Sequence, residues 1–229
     1  MLRYLADLAN AITTAGLLCS SVSLYLALKG QVELAVAVAL WAVLADHLDG
    51  VVAGRAPNRH PDTAKVGKSL DSFADIIYGA VLPAVFVLQL SSVSLLSLFT
   101  STSLLLAGAI RLSYFANFGK SEDGRFTGVP LSYDIPLLAA LVLAQPLFHP
   151  VLFVSIVNVV FILLSIAHLA SVRVPSPNRA MYVAITVSAI FASAILLQRG
   201  YIHDFASTVT KNRICPDVTS RATIPLIRR

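Results

Sequence analysis

Four aspartates hold most of the chemical potential of this sequence. Asp46 and Asp49 sit at i,i+3 spacing and are followed by Gly50; Asp71 and Asp75 sit at i,i+4 spacing and are preceded by Gly67. Both spacings place side chains on one face of an α-helix, so each pair aims two carboxylates in one direction. A short loop joins the two segments, which makes them antiparallel neighbours and brings the four carboxylates to one level. Unpaired carboxylates in apolar surroundings repel one another and are costly to desolvate. Divalent cations reverse that balance. An all-oxygen donor set suits Mg²⁺ or Mn²⁺ rather than Zn²⁺, and two such ions form a clamp for phosphoryl-type transfer. Gly50 and Gly67 leave room for backbone or ligand beside the carboxylates. The plainer reading pairs the aspartates with Arg55, Lys65 or Lys68 as loop-end charges. It suits a single aspartate better than four at these spacings.

The elements that must carry these residues are membrane helices. The chain has 229 residues, 57% of them hydrophobic and 13% charged, with a mean hydropathy of +0.79. Soluble domains carry about 25% charged residues, so the solvent for most of this chain is lipid. Apolar runs near the ~20 residues needed to span a bilayer occur at Ala11–Lys29, Val32–Ala53, Ser69–Leu90 and Val93–Phe115, followed by Leu131–Pro146, Val151–Val172 and Ala180–Gln198. The fifth is short and contains Pro136, which predicts a kink or tilt. The runs are continuous rather than alternating, and open sheet edges do not survive in lipid. The expected fold is an all-α bundle of six or seven spanning helices over residues 1–198, with a short interfacial helix within Met1–Asn10 and a polar, basic, loosely ordered tail over residues 199–229.

Lysine and arginine in the gaps set the orientation. Arg55, Arg59, Lys65 and Lys68 follow the second run, Lys120 and Arg125 the fourth, and Arg173 and Arg179 the sixth, whereas the gaps at Ser91–Ser92 and Gln145–Pro150 contain neither lysine nor arginine. The amino terminus, the three basic gaps and the aspartates are therefore expected on the cytoplasmic side of a multi-pass protein of a prokaryotic cell membrane. Seven crossings would put the basic tail, with Arg199, Lys211, Arg213, Arg221, Arg228 and Arg229, on the other side. Either the last run does not cross, or the tail lies too far from the membrane to count. The net charge of +5 sits in these gaps and points to anionic headgroups, not nucleic acid. Cys19 and Cys215 are far apart in the chain and indicate neither a disulfide framework nor a zinc site.

At the aspartates the sequence resembles the CDP-alcohol phosphatidyltransferase family, whose motif reads D-x2-D-G-x2-A-R, then G-x3-D-x3-D. The matching residues are Asp46, Asp49, Gly50, Ala53, Gly67, Asp71 and Asp75. The arginine comes one place late, as Arg55 after Gly54, and one residue is about 100° of helix rotation. Ala9-Asn10-Ala11-Ile12-Thr13 is similar to the family's P-N-x-[IL]-T start, without its proline. Arg111-Leu112-Ser113-Tyr114-Phe115, Phe126-Thr127-Gly128-Val129-Pro130 and the segment ending Arg173-Val174-Pro175-Ser176 resemble the phosphatidylserine synthase branch. The resemblance implies that Asp46, Asp49, Asp71 and Asp75 share two Mg²⁺ or Mn²⁺ ions on the diphosphate of CDP-diacylglycerol. It implies that Asp75 is general base on the alcohol, and that CMP leaves. It further implies L-serine as acceptor ahead of glycerol 3-phosphate, inositol phosphate or choline. Asn10, Thr13, Gly50, Ala53, Arg55, Gly67 and Lys68 would contact the CDP-lipid, and the protein would be a homodimer.

Other ionisable residues divide between function and structure. Arg111 lies in or at the end of an apolar run, where arginine marks either a site or a snorkelling side chain. Its expected role, with Arg125, is to bind the acceptor. Tyr133 and Asp134 are further candidates for that subsite. His168 reads as an interhelical hydrogen bond, and His47 as pointing away from the ligand face. Lys120, Glu122, Asp123 and Arg125 read as a solvated loop. Aromatic prenyltransferases also place aspartates in membrane helices, but their N-D-x2-D-x3-D motif fails at Ala45 and Ala53. A cation transporter would need acids near mid-membrane in both halves of the chain, and here they cluster in one place.

Overall fold

The computed structural model describes residues 1–56, 59–119 and 124–175, and the backbone of 179–214 with the side chains of 180–204. A short 3-10 helix, Leu2–Ala6, leads into α1 (Leu8–Leu28), whose first turn is capped by the side chain of Asp7, which accepts from the Asn10 amide. Next come α2 (Val32–Gly54), α3 (Pro61–Ile76), α4 (Leu82–Leu90), α5 (Leu95–Phe118), α6 (Asp134–Ala144), α7 (Pro150–Leu169) and α8 (Arg179–Ile214). Six helices are long and apolar enough to cross a membrane, and a shorter apolar stretch covers Leu131–Leu147. The chain is a polytopic all-α membrane bundle, as the continuous apolar runs predict. Two two-residue strands, β1 (Phe126–Thr127) and β2 (Arg173–Val174), pair antiparallel. They hold the segments before α6 and after α7 to one face of the bundle.

Small residues let α1 and α2 pack closely, since lipid offers no hydrophobic drive and close backbone approach supplies the contact. A Cβ on Gly16 would lie 3.1 Å from the Ala45 Cβ, and Ser23 donates to the Ala35 carbonyl at 2.8 Å. The core centres on α2, where Ala35, Val36, Leu40 and Val43 meet Tyr78, Phe86, Ile135, Leu138 and Leu196.

The third expected span begins much earlier than Ser69, at Pro61. Proline at the first helical position loses no hydrogen bond, and the His60 ring accepts from the Asp62 amide. α3 and α4 form one continuous rod through a π turn, Ile77–Val81, in which the Leu82 amide reaches back to the Ile77 carbonyl. Pro83 has no N–H to offer the preceding turn, and the ladder adjusts there. Pro136 falls in the first turn of α6, where its missing N–H breaks no intrahelical bond. The brevity of α6 comes from 3-10 turns at both ends, Leu131–Tyr133 and Gln145–Leu147.

α8 runs antiparallel to α2 from Tyr182 to His203. Tyr182 packs edge-on against His47, Ser193 takes the Trp41 indole N–H at 3.0 Å, a Cβ on Gly200 would strike Leu34, and His203 lies 2.9 Å from Glu33. The last run is long and apolar enough to cross, and its packing carries His203 to the end of the bundle opposite the aspartates. The expected start of a tail at Arg199 falls inside this helix, which continues to Ile214. Residues 215–229, with Cys215, lie outside the described residues.

Candidate active site

The two aspartate pairs meet. Carboxylate oxygens of Asp46, Asp49 and Asp71 all lie within 4.8 Å of one another. The C-terminal end of α2 supplies the first two and the middle of α3 the third. Asp75 lines the same cavity one turn further along α3 and is an immediate electrostatic neighbour of Asp46. The buried Tyr78 hydroxyl donates to Asp75 Oδ1 at 2.7 Å and also interacts with Asp46. Thr13 of α1 donates to Asp49 Oδ2. Among the described residues no lysine, arginine or histidine forms an ion pair with Asp46, Asp49 or Asp71. Three clustered carboxylates without a protein cation, offering oxygen alone, form a donor set fitted to a hard divalent metal.

The aspartates stand at one end of a cavity of about 640 Å³. Its polar wall carries Tyr78, Arg111 and Tyr133. Its apolar wall is built by α2, α6 and α8, through Leu40, Ala139, Leu143, Ile185 and Ala189. Gly50 opens onto this space, with nothing within 4 Å of a Cβ placed there. His47 also lines the cavity, against Tyr182.

Gly67 has a different use. A Cβ there would overlap the Asn10 side-chain oxygen and lie 3.0 Å from Arg59 Nη2. Arg59 crosses that gap to bind Asp7 through two bonds, 3.1 Å from Nε and 2.7 Å from Nη2, and donates to Asn10 at 2.8 Å. Asn10 in turn donates to the Thr63 carbonyl at 3.3 Å. Asn10 and Gly67 thus join α1 to α3, and neither is among the residues lining the cavity. Arg55 ends α2 on the surface. Ala53 and Lys68 do not reach the cavity lining, nor does Arg125. Lys120, Glu122, Asp123 and Ser176 lie outside the described residues.

Arg111 of α5 lines the cavity with only 7% of its surface exposed. Its Nε has no hydrogen-bond partner among the described residues, and its acidic neighbours are Asp75 and Asp134. His168 joins α7 to α6, since its ring contacts Asp134 and the Val129 carbonyl. Sequence reasoning passed over Tyr78 and Arg59. Tyr78 was within reach, because it shares a helix face with Asp71 and Asp75. Arg59 was not, because the gap holds four basic residues and no periodicity to separate them.

The fold and site define a polytopic helical membrane protein with a carboxylate cluster on a partly apolar cavity. The chain belongs to the CDP-alcohol phosphatidyltransferase family, whose model matches residues 6–210. It is similar to archaetidylserine synthase of Methanothermobacter thermautotrophicus, with 29% identity over 157 residues, 68% of this chain and 63% of that protein. The match thus spans less than two thirds of that relative's length.

Proposed function

We propose that the protein transfers a phosphatidyl-type group from a CDP-linked lipid to a small alcohol, L-serine, and releases CMP. The observation that carries this reading is the convergence of four aspartates at the polar end of a cavity whose far wall is apolar. A nucleotide-linked lipid has that same division, with a charged diphosphate at one end and hydrocarbon at the other. Asp46, Asp49 and Asp71, with Asp75 at their edge, would hold two Mg²⁺ or Mn²⁺ ions. Bound there, the metals supply charge neutralisation for the diphosphate and for the departing CMP.

The residues of the chain divide the remaining work. Thr13 fixes the rotamer of Asp49. Asp75 takes the proton of the acceptor hydroxyl, whose oxygen forms the new bond to the phosphorus beside the lipid while the bond from that phosphorus to the CMP oxygen breaks. Tyr78 orients Asp75 by its hydrogen bond. Arg111 is a buried cation on the same cavity and favours an acceptor that carries an anionic group. Serine has one and choline does not. The archaetidylserine synthase similarity supports the same acceptor, and it adds an archaetidyl donor beside CDP-diacylglycerol as a substrate to be tried. The reading has the protein working as a homodimer with its site on the cytoplasmic side.

The test is CMP release by purified protein, using both donor types and a panel of L-serine, glycerol 3-phosphate, inositol phosphate and choline, with and without a chelator. Metal-dependent release with serine is expected. Release only with another acceptor would reassign the acceptor. No release with any combination, or full turnover after exhaustive metal removal, would overturn the reading.

A further inference from the structure

Asp134 and His168 are both fully buried, with side chains 0% exposed, on α6 and α7. Both ring nitrogens of His168 face oxygen. Nδ1 is 2.8 Å from the Val129 carbonyl, and Nε2 is 3.1 and 3.2 Å from the two carboxyl oxygens of Asp134. A carbonyl oxygen only accepts, so Nδ1 carries a proton and donates it. Nε2 then either holds a second proton and donates to a carboxylate, or is bare and accepts from a carboxylic acid. In both cases the pair has no net charge. That matters for Arg111, whose acidic neighbours are Asp75 and Asp134. Asp75 is engaged with Tyr78 and the aspartate cluster. His168 engages Asp134 Oδ2, no hydrogen bond ties Asp134 to Arg111, and Arg111 Nε has no partner among the described residues, so the charge of Arg111 is left for a ligand in the cavity.

The same pair fixes the wall on which that ligand would rest. Pro130, Leu131, Ser132 and Tyr133 line the cavity just ahead of Asp134. The Val129 amide donates to the Ala167 carbonyl at 3.1 Å and the Gly128 amide to Val172 at 2.9 Å. Gly128 has a φ of +75°, and a Cβ there would overlap the His168 carbonyl, so the wall is seated directly on the end of α7.

We propose that Asp134 and His168 are positioning residues of the acceptor subsite. They form a charge-neutral hydrogen-bonded pair, which fixes the 129–133 wall and leaves Arg111 free for the anionic group of the acceptor. This rests on the function proposed above. Asparagine can donate an amide hydrogen to a bare Nε2 and is neutral, so it can replace a partner in a neutral pair. It cannot replace a carboxylate that neutralises Arg111.

The experiment compares Asp134→Asn, Asp134→Ala and His168→Ala for acceptor KM, donor KM and kcat, with native protein as control. Asp134→Asn should raise acceptor KM by no more than about threefold. The two alanine variants should raise it about tenfold or more with donor KM nearly unchanged. If Asp134→Asn is as damaging as Asp134→Ala, or fails to fold, Asp134 acts as a charge and the proposal is overturned. A fall in kcat with acceptor KM unchanged in His168→Ala overturns it as well. Absence of CMP release by native protein would count against the function instead, so the two failures are distinguishable.

Discussion

Asp46, Asp49 and Asp71 face one another, and Asp75, one turn further along α3, accepts from the Tyr78 hydroxyl at 2.7 Å. Asp75→Asn keeps the size of the side chain but cannot take a proton at neutral pH, so turnover should fall about 10²–10⁴-fold, the usual contribution of a general base. Donor affinity should fall less than in Asp46→Asn, which removes a charge from the three-carboxylate group. Donor binding measured beside CMP release separates the two, and near-normal turnover of Asp75→Asn would place the base elsewhere. Arg111 makes a second prediction at this scale. Replacing L-serine by its neutral amide should raise acceptor KM by about 10–100-fold, the equivalent of losing one hydrogen bond to a charged group. In Arg111→Gln the two acceptors should be used alike. If the native protein already fails to discriminate between them, Arg111 does not read the carboxylate.

At the scale of elements, the site depends on the angle between α1 and α3, set by Asp7, Asn10, Arg59 and Gly67. Gly67→Ala pushes a methyl group into the Asn10 side chain and towards Arg59. Overpacking of this kind costs about 1–3 kcal/mol, so the melting temperature in detergent should drop, and an unchanged value would show that the contact yields freely. The pair also gives a pH dependence. Burial alone would raise the Asp7 carboxyl, but the hydrogen bonds and charge of Arg59, with the Asn10 amide, outweigh it and hold the group below its ordinary value. A carboxyl depressed by folding stabilises at pH above its unfolded value, about 3.9, and loses that contribution as pH falls through the folded value. Native protein should therefore lose stability in the acid limb below about pH 4 more steeply than Arg59→Ala. Parallel acid limbs for the two proteins would show that the pair is not coupled to folding.

For the molecule as a whole, the path of α8 decides the sidedness. Arg55 ends α2 beside the aspartates, and His203 meets Glu33 at the far end of the same helix. In a background lacking Cys19 and Cys215, a membrane-impermeant thiol reagent should reach Arg55→Cys and His203→Cys from opposite faces. The basic gaps predict that Arg55 is the cytoplasmic one. Labelling of both from one face would mean that α8 turns back within the bilayer. A crossing α8 is expected to put Arg199 on the opposite face from the basic loops. The charge rule fades with distance from a span and leaves that outcome open.

The aspartate cluster was legible in the sequence because its spacings are local: a helix turns Asp46 and Asp49, or Asp71 and Asp75, to one side wherever it is placed, and one short loop brings the two pairs together. The bundle was legible because the bilayer demands long apolar helices irrespective of how they pack. Which helices close the cavity was not. In lipid a helix is apolar towards its neighbours and towards the solvent alike, so no periodicity marks the face of α6 or α8 that lines the site. The tertiary structure alone paired Arg59 with Asp7, Thr13 with Asp49 and His168 with Asp134. Each of these joins polar groups far apart in the chain. Each side chain can be recognised in the sequence as expensive to bury alone, but its partner is chosen only when the helices meet.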